Sequence, residues 1–234
     1  MRKQLRAAIF DMDGLMVDTE RVARMGWKHA FRQFGIDLTD EEYLQFLGIS
    51  TADVSAMITE RFGGRVRFED VYAVRQQHTH QFYEENGVPL KPGIVELLSF
   101  LESAGVERVV ATSSTEEMAR FRLQKAGLLE WFSFISSSDR VLRGKPAPDV
   151  YLTAIDWCGL QADECVALED SEVGVRAAHA AGLRVIWVPD LAVPSEEAVG
   201  LAVHVAADLF DALQWIESWM APTQQIGQTD PQVS

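Results

Sequence analysis

Cysteine is scarce in this chain of 234 residues: there are two, Cys158 and Cys165. Two thiols cannot build the disulfide framework of a small secreted domain. They read as reduced core thiols, and the expected compartment is the cytoplasm. Long apolar runs are also missing, since no stretch approaches the ~20 residues that span a bilayer. The start is basic (Arg2, Lys3, Arg6), but only residues 7–10 are apolar before the first aspartate, too few for the core of a signal peptide. Positive charge is in deficit, with 21 Lys and Arg against 35 Asp and Glu and a formal net charge of -14. Such a field disfavours nucleic acid and anionic membrane surfaces as partners. An anionic small molecule would need local positive charge to bind. What remains is ordinary for a globular protein, 47% hydrophobic and 24% charged. The length suits one large domain or a domain with an insert. No spare apolar stripe suggests a second subunit, so a monomer is expected.

The chain is organised around the stretch Ala7-Ala8-Ile9-Phe10-Asp11-Met12-Asp13-Gly14. Four apolar residues predict a short buried strand. Two carboxylates at i and i+2 then share one face of an extended chain. Like charges so close raise each other's pKa unless a cation intervenes, and a hard divalent metal is the simplest such cation. The competing reading is a plain strand-end turn, where Asp and Gly are common.

Beyond Gly14 the pattern becomes helical. Val22, Met25, Ala30 and Phe34 predict a first helix ended by Gly35. Thr39 with Glu42 has the spacing of a capping box, opening a second helix to about residue 46. Ser50 with Asp53, followed by Val54, Met57, Ile58 and Phe62, predicts a third. A fourth runs over 69–85 and stops at Asn86-Gly87. A strand-free block of four helices reads as an inserted all-α domain.

From Pro92 helix and strand alternate. Helices are expected over 94–103, 116–126, 149–157 and 172–181. Strands are expected over 106–111, 132–135, 165–168 and 184–188, with an edge strand over 203–206. This rhythm predicts a parallel sheet with helices on both faces, its strands short and apolar because both faces are covered. The opening strand belongs to that sheet. The expected domains are an α/β core over 1–16 and 87–220, a helical cap over 17–86 and a polar, unpatterned tail over 221–234.

In an open parallel sheet ligands bind beyond the carboxyl ends of the strands. Asp11 and Asp13 follow the first predicted strand, and Thr112-Ser113-Ser114 the second. The third leads to Ser136-Ser137-Ser138-Asp139 and on to Arg143-Gly144-Lys145-Pro146. The fourth delivers Glu169-Asp170-Ser171. Each piece has an ordinary explanation: a Thr-Ser-Ser helix cap, a solvated loop lysine, carboxylates favouring a helix dipole. Together they suit phosphoryl transfer, whose loose transition state needs positioning and charge stabilisation above all. Asp170 with Asp11 and Glu169 supplies oxygens for Mg²⁺. Thr112 offers a hydroxyl, and Lys145 a point charge for a phosphate oxygen. Pro146 biases Lys145 to an extended conformation that aims it outward from its loop.

On these stretches the chain resembles the haloacid dehalogenase-like superfamily, in its group with an α-helical cap after the first strand. The resemblance covers about residues 6–215. It rests on Phe-Asp-Met-Asp-Gly at 10–14, Ala-Thr-Ser-Ser at 111–114, Gly-Lys-Pro at 144–146 and Glu-Asp-Ser at 169–171 with Gly174. It implies a Rossmann-like doubly wound core. It also implies Asp11 as a nucleophile forming an aspartyl-phosphate and Asp13 as general acid, then base. Mg²⁺ would be held by the Asp11 carboxylate, the Asp13 backbone carbonyl, Asp170 and Glu169. Thr112, Ser113 and Lys145 would hold the phosphate, and the cap would close over a small phosphorylated metabolite.

Three reactions share such a scaffold. Dehalogenases of the superfamily lack the second aspartate, so Asp13 argues against that chemistry. Mutases of the β-phosphoglucomutase type carry a His where this chain has Ala23. They also carry an Arg in the cap loop where this chain reads Gly48-Ile49-Ser50-Thr51. Losing that bidentate grip on a second phosphate favours a phosphatase. A non-catalytic phosphometabolite sensor is the remaining alternative. Among cap residues Glu20, Arg24, His29 and Ser50 are candidates to face the site. Trp27 and Phe31 read as cap core, and His78 and His80 receive no role.

Overall fold

The structure, a computed structural model, describes residues 4–46, 51–190 and 194–221. Strand β1 (Ala7–Phe10) lies at the centre of a six-stranded sheet. The strand order is β3-β2-β1-β4-β5-β6, with β2 (Glu107–Ala111), β3 (Phe134–Ser136), β4 (Cys165–Glu169), β5 (Arg184–Trp187) and β6 (His204–Val205). Every pairing is parallel, and Phe10 sits level with Val110 on one side and Leu168 on the other. The order reverses direction between β1 and β4, which opens a crevice at their carboxyl ends.

Alternation along β1 sends its side chains into two separate cores. Ala8 and Phe10 join Val110, Ile135 and Leu168 under helices α5 (Ile94–Ser103), α6 (Glu116–Lys125) and α10 (Leu209–Met220). Ala7 and Ile9 join Val109, Ala167 and Val185 under α7 (Asp149–Cys158), α8 (Glu172–Ala180) and α9 (Glu196–Val199). A strand buried on both faces has no polar side, which is why four apolar residues stand in a row.

Between β1 and α5 the chain forms α1 (Thr19–Gln33), α2 (Asp40–Leu44), α3 (Thr51–Phe62) and α4 (Phe68–Asn86). Their shared core contains Trp27, Phe31, Leu38, Tyr43, Ile58 and Val71. Trp27 and Phe31 are cap core, as expected. The Thr39–Glu42 capping box is formed, with the Glu42 N–H donating to Thr39 Oγ1 at 3.2 Å and the Thr39 N–H to Glu42 Oε2 at 2.7 Å. The cap proposed for α3 at Ser50 lies outside the described residues. The cap helices are anchored to the sheet: Val22 and Tyr83 belong to the core over α5 and α6, and Lys125 Nζ meets Glu84 at 2.5 Å.

The structure corrects two strand boundaries and adds helices that the sequence did not announce, α9 among them. The strand expected over 132–135 begins at Phe134, because Leu129–Trp131 form a 3-10 turn first. The edge strand expected over 203–206 shortens to His204–Val205. Helix α10 had no counterpart in the reading of the sequence.

Candidate active site

Asp11 and Asp13 leave the end of β1, while Met12 between them turns into the core and is fully buried. The Asp11 N–H donates to the Leu168 carbonyl at 3.0 Å, continuing the β1–β4 ladder one residue past the strand. The Asp11 side chain therefore stands at the switch-point crevice. Glu169, the last residue of β4, is fully buried beside it.

Lys145 joins them. Its Nζ donates to Asp11 Oδ1 at 2.6 Å, to Glu169 Oε1 at 2.6 Å and to the Ala111 carbonyl at 3.0 Å. The side chain is 4% exposed. It is a buried bridge rather than a solvated loop lysine, and it reaches out of its own loop into the crevice. Glu169 also accepts from the Tyr151 hydroxyl at 2.5 Å and from Ser171 Oγ at 3.2 Å. Gly174 on α8 explains itself here: a Cβ at that position would fall 1.9 Å from Glu169 Oε1. Asp170 follows, its carbonyl accepting from Trp187 Nε1 at 2.9 Å.

Carboxylate oxygens of Asp11, Glu169 and Asp170 lie within 4.8 Å of one another. With Lys145, four groups whose formal charge is -2 when all are ionised crowd together, Asp11 and Glu169 buried and Asp170 half-buried. Burial is the main cause that pushes Asp11 up to about 8, with the Glu169 charge adding and Lys145 opposing. Burial, then the Asp11 and Glu169 charges, hold Asp170 well above the usual carboxylate range. Burial works against the Lys145 charge, yet Asp11 and Glu169 outweigh it and keep the ammonium protonated. An all-oxygen donor set with two unbalanced negative charges fits a hard divalent cation.

On β2 the loop residue Thr112 is buried, and its Oγ1 accepts from the Ser114 N–H at 3.1 Å. The cap of α6 is Thr115, so Thr112 is not spent on helix capping. Ser113 lies exposed in the same loop. Ser114 Oγ donates to Asp13 Oδ2 at 2.9 Å, and Arg122 Nη1 reaches both Asp13 oxygens at 2.8 and 2.7 Å.

The structure thus brings together Asp11, Asp13, Thr112, Lys145, Glu169 and Asp170. Other expected rim groups are engaged elsewhere: Asp139 accepts from the Glu116 N–H, and Arg143 pairs with Asp149. Of the cap candidates, Glu20 accepts from the Tyr43 hydroxyl at 2.9 Å, and burial foremost, with the Asp13 charge among the lesser causes, raises its pKa. Arg24 forms a surface pair with Asp40, and His29 stacks on His78 at 4.0 Å. Ser50 lies outside the described residues. Ser114, expected at this rim but given no role of its own, meets Asp13; reading the sequence missed Tyr151 and Arg122 as site neighbours. Nothing set Arg122 apart from Arg120 and Lys125 on the same helix.

The family model of haloacid dehalogenase-like hydrolases matches residues 8–188. Hexitol phosphatase A of Escherichia coli K12 is 34% identical over 211 residues, 84% of this chain and 89% of that protein. Protein CbbY of Rhodobacter capsulatus is 32% identical over 197 residues, 80% of this chain and 86% of that protein. Among solved structures, CbbY from Rhodobacter sphaeroides in complex with phosphate superposes with a TM-score of 0.73 at 28% identity, covering 88% of this chain and 95% of that one.

Proposed function

The chain belongs to the haloacid dehalogenase-like hydrolase family, and from that premise we propose that it is a Mg²⁺-dependent phosphatase of a small phosphorylated metabolite, a sugar phosphate or a close analogue. The observation that carries this reading is the Lys145 bridge between Asp11 and Glu169, with Asp13 two residues further along the same loop. It supports the reading because it sets a cation against the proposed nucleophile, close to the proposed acid/base, where the ends of β1 and β4 meet. Hexitol phosphatase A, more than 30% identical over most of both chains, supports hydrolysis of a polyol or sugar ester.

In this scheme an Asp11 carboxylate oxygen attacks phosphorus. The O–P bond to Asp11 forms as the ester P–O bond breaks, and Asp13 gives its proton to the departing oxygen. Water then attacks the aspartyl-phosphate. Its O–P bond forms, the acyl-phosphate O–P bond breaks, and Asp13 takes back the proton. Lys145 and Thr112, with Ser113, hold phosphate oxygens, and Lys145 offsets the Asp11 charge. Mg²⁺, held by Asp11, the Asp13 carbonyl, Glu169 and Asp170, would neutralise charge on the phosphoryl group. Residues 17–86 act as the cap on a core of 1–16 and 87–220, with 221–234 as a tail; closure excludes water.

The test is phosphate release from hexitol and hexose phosphates by the purified chain in Mg²⁺. Free phosphate, abolished in Asp11→Asn, is the expected result. Isomerisation that needs a bisphosphate primer would point instead to a mutase. Binding without turnover would point to a sensor.

A further inference from the structure

The acid/base assigned to Asp13 does not hang free. Arg122 Nη1 straddles its two oxygens at 2.8 and 2.7 Å and also donates to Ser114 Oγ at 3.1 Å. Ser114 Oγ in turn donates a hydrogen bond to Asp13 Oδ2 at 2.9 Å. Asp13 thus stands in a three-member network whose other members come from the β2 loop and from α6. The Arg122 side chain is 14% exposed, and its Nε is buried without a hydrogen-bond partner. A guanidinium built only to brace the fold would use its fork, Nε and Nη together, on a carboxylate. Here one nitrogen takes both oxygens and a donor is left unmatched, which costs free energy. What that arrangement fixes is the plane and rotamer of one carboxylate.

The position of Arg122 is itself determined at the seam between cap and core. Burial opposes its charge, but Asp13 and, from α4, Tyr83 and Tyr72 favour it. Around it α4 and α6 are clamped by the Lys125–Glu84 pair and by His80 stacked on Phe121 at 4.9 Å.

We propose that Arg122 is the positioning residue for the acid/base of this enzyme: with Ser114 it holds the Asp13 carboxylate in the rotamer that meets the ester oxygen. This rests on the phosphatase reading above. The hydrogen bonds of Arg122 go to Asp13 and Ser114 and not to Lys145 or Thr112, the groups assigned to the phosphate, so its loss should spare the part of the reaction that needs no proton donor.

The experiment compares two substrates on the full chain in Mg²⁺. An alkyl phosphate such as a hexitol phosphate needs its departing oxygen protonated, whereas p-nitrophenyl phosphate releases a stable anion. With Arg122→Met, kcat/KM for the alkyl ester should fall by about 10²-fold, and for the aryl ester by less than about 3-fold. The alkyl loss should lie in kcat with KM little changed, and Arg122→Lys should restore part of it. An equal fall on both esters, no fall on either, or an alkyl loss confined to KM would each overturn the proposal. Should Arg122→Met fail to fold, Arg122→Lys and Ser114→Ala carry the same comparison, with smaller losses of the same selectivity expected and equal losses again overturning it. Wild-type protein that turns over neither ester would sink the phosphatase reading itself, a result distinct from any of these.

Discussion

A Cβ at position 14 would stand 2.1 Å from Asp170 Oδ2, and the backbone there has φ +87. Both facts act against any side chain. The left-handed conformation alone costs a non-glycine residue roughly 1–2 kcal/mol, and the clash would displace a carboxylate assigned to the metal. Gly14→Ala is therefore expected to lower stability by at least that amount and to weaken Mg²⁺ binding. Thermal melting with and without Mg²⁺ checks both, and a variant that melts and responds like the parent would contradict the geometry. The sequence showed a glycine after two aspartates. It could not show which side chain presses against it, because Asp170 arrives from a strand paired through space.

Helices were legible where one face was clearly apolar and the other polar. α10 was not, because Phe210, Leu213, Trp215, Trp219 and Met220 surround the buried positions and blur the stripe. Only packing reveals Leu209, Ala212 and Ile216 as its inner face, set against the sheet beside α5. Ile216→Ala is expected to destabilise the protein by about 2–5 kcal/mol. Urea unfolding measures this, and a loss below about 0.5 kcal/mol would mean that α10 contributes little to the core. β3 was misplaced by two residues for a related reason: Phe132 continues an apolar run, but the 3-10 turn before it delays the strand.

At the level of the whole molecule the sheet concentrates three carboxylates and one ammonium at a single rim. Without a metal this cluster opposes folding, since Asp11 and Asp170 are protonated far more readily than free carboxylates. A ligand that binds only the folded chain adds about 2.7 kcal/mol at a hundred times its dissociation constant. For a chain of this size that corresponds to a rise of about 5–10 °C in melting temperature. Saturating Mg²⁺ should produce this rise in the parent and not in Asp170→Asn. An equal response in both would place the ion elsewhere. No helix among the described residues is long and apolar enough to cross a membrane.

Local chemistry was enough to determine the alternation of helix and strand as far as β5, with β3 shifted, the helical insert and the residues after each strand that carry charge. Those follow from periodicity and from short-range stops, which act within a few residues along the chain. Which of those charges meet was decided only when parallel pairing set the strand order. Lys145 turned inward to Asp11 and Glu169, Arg122 reached Asp13 across the β2 loop, and Arg143 stayed at the surface with Asp149. The energy that selects these partners is Coulombic and depends on burial. Neither separation nor burial exists until the sheet has closed.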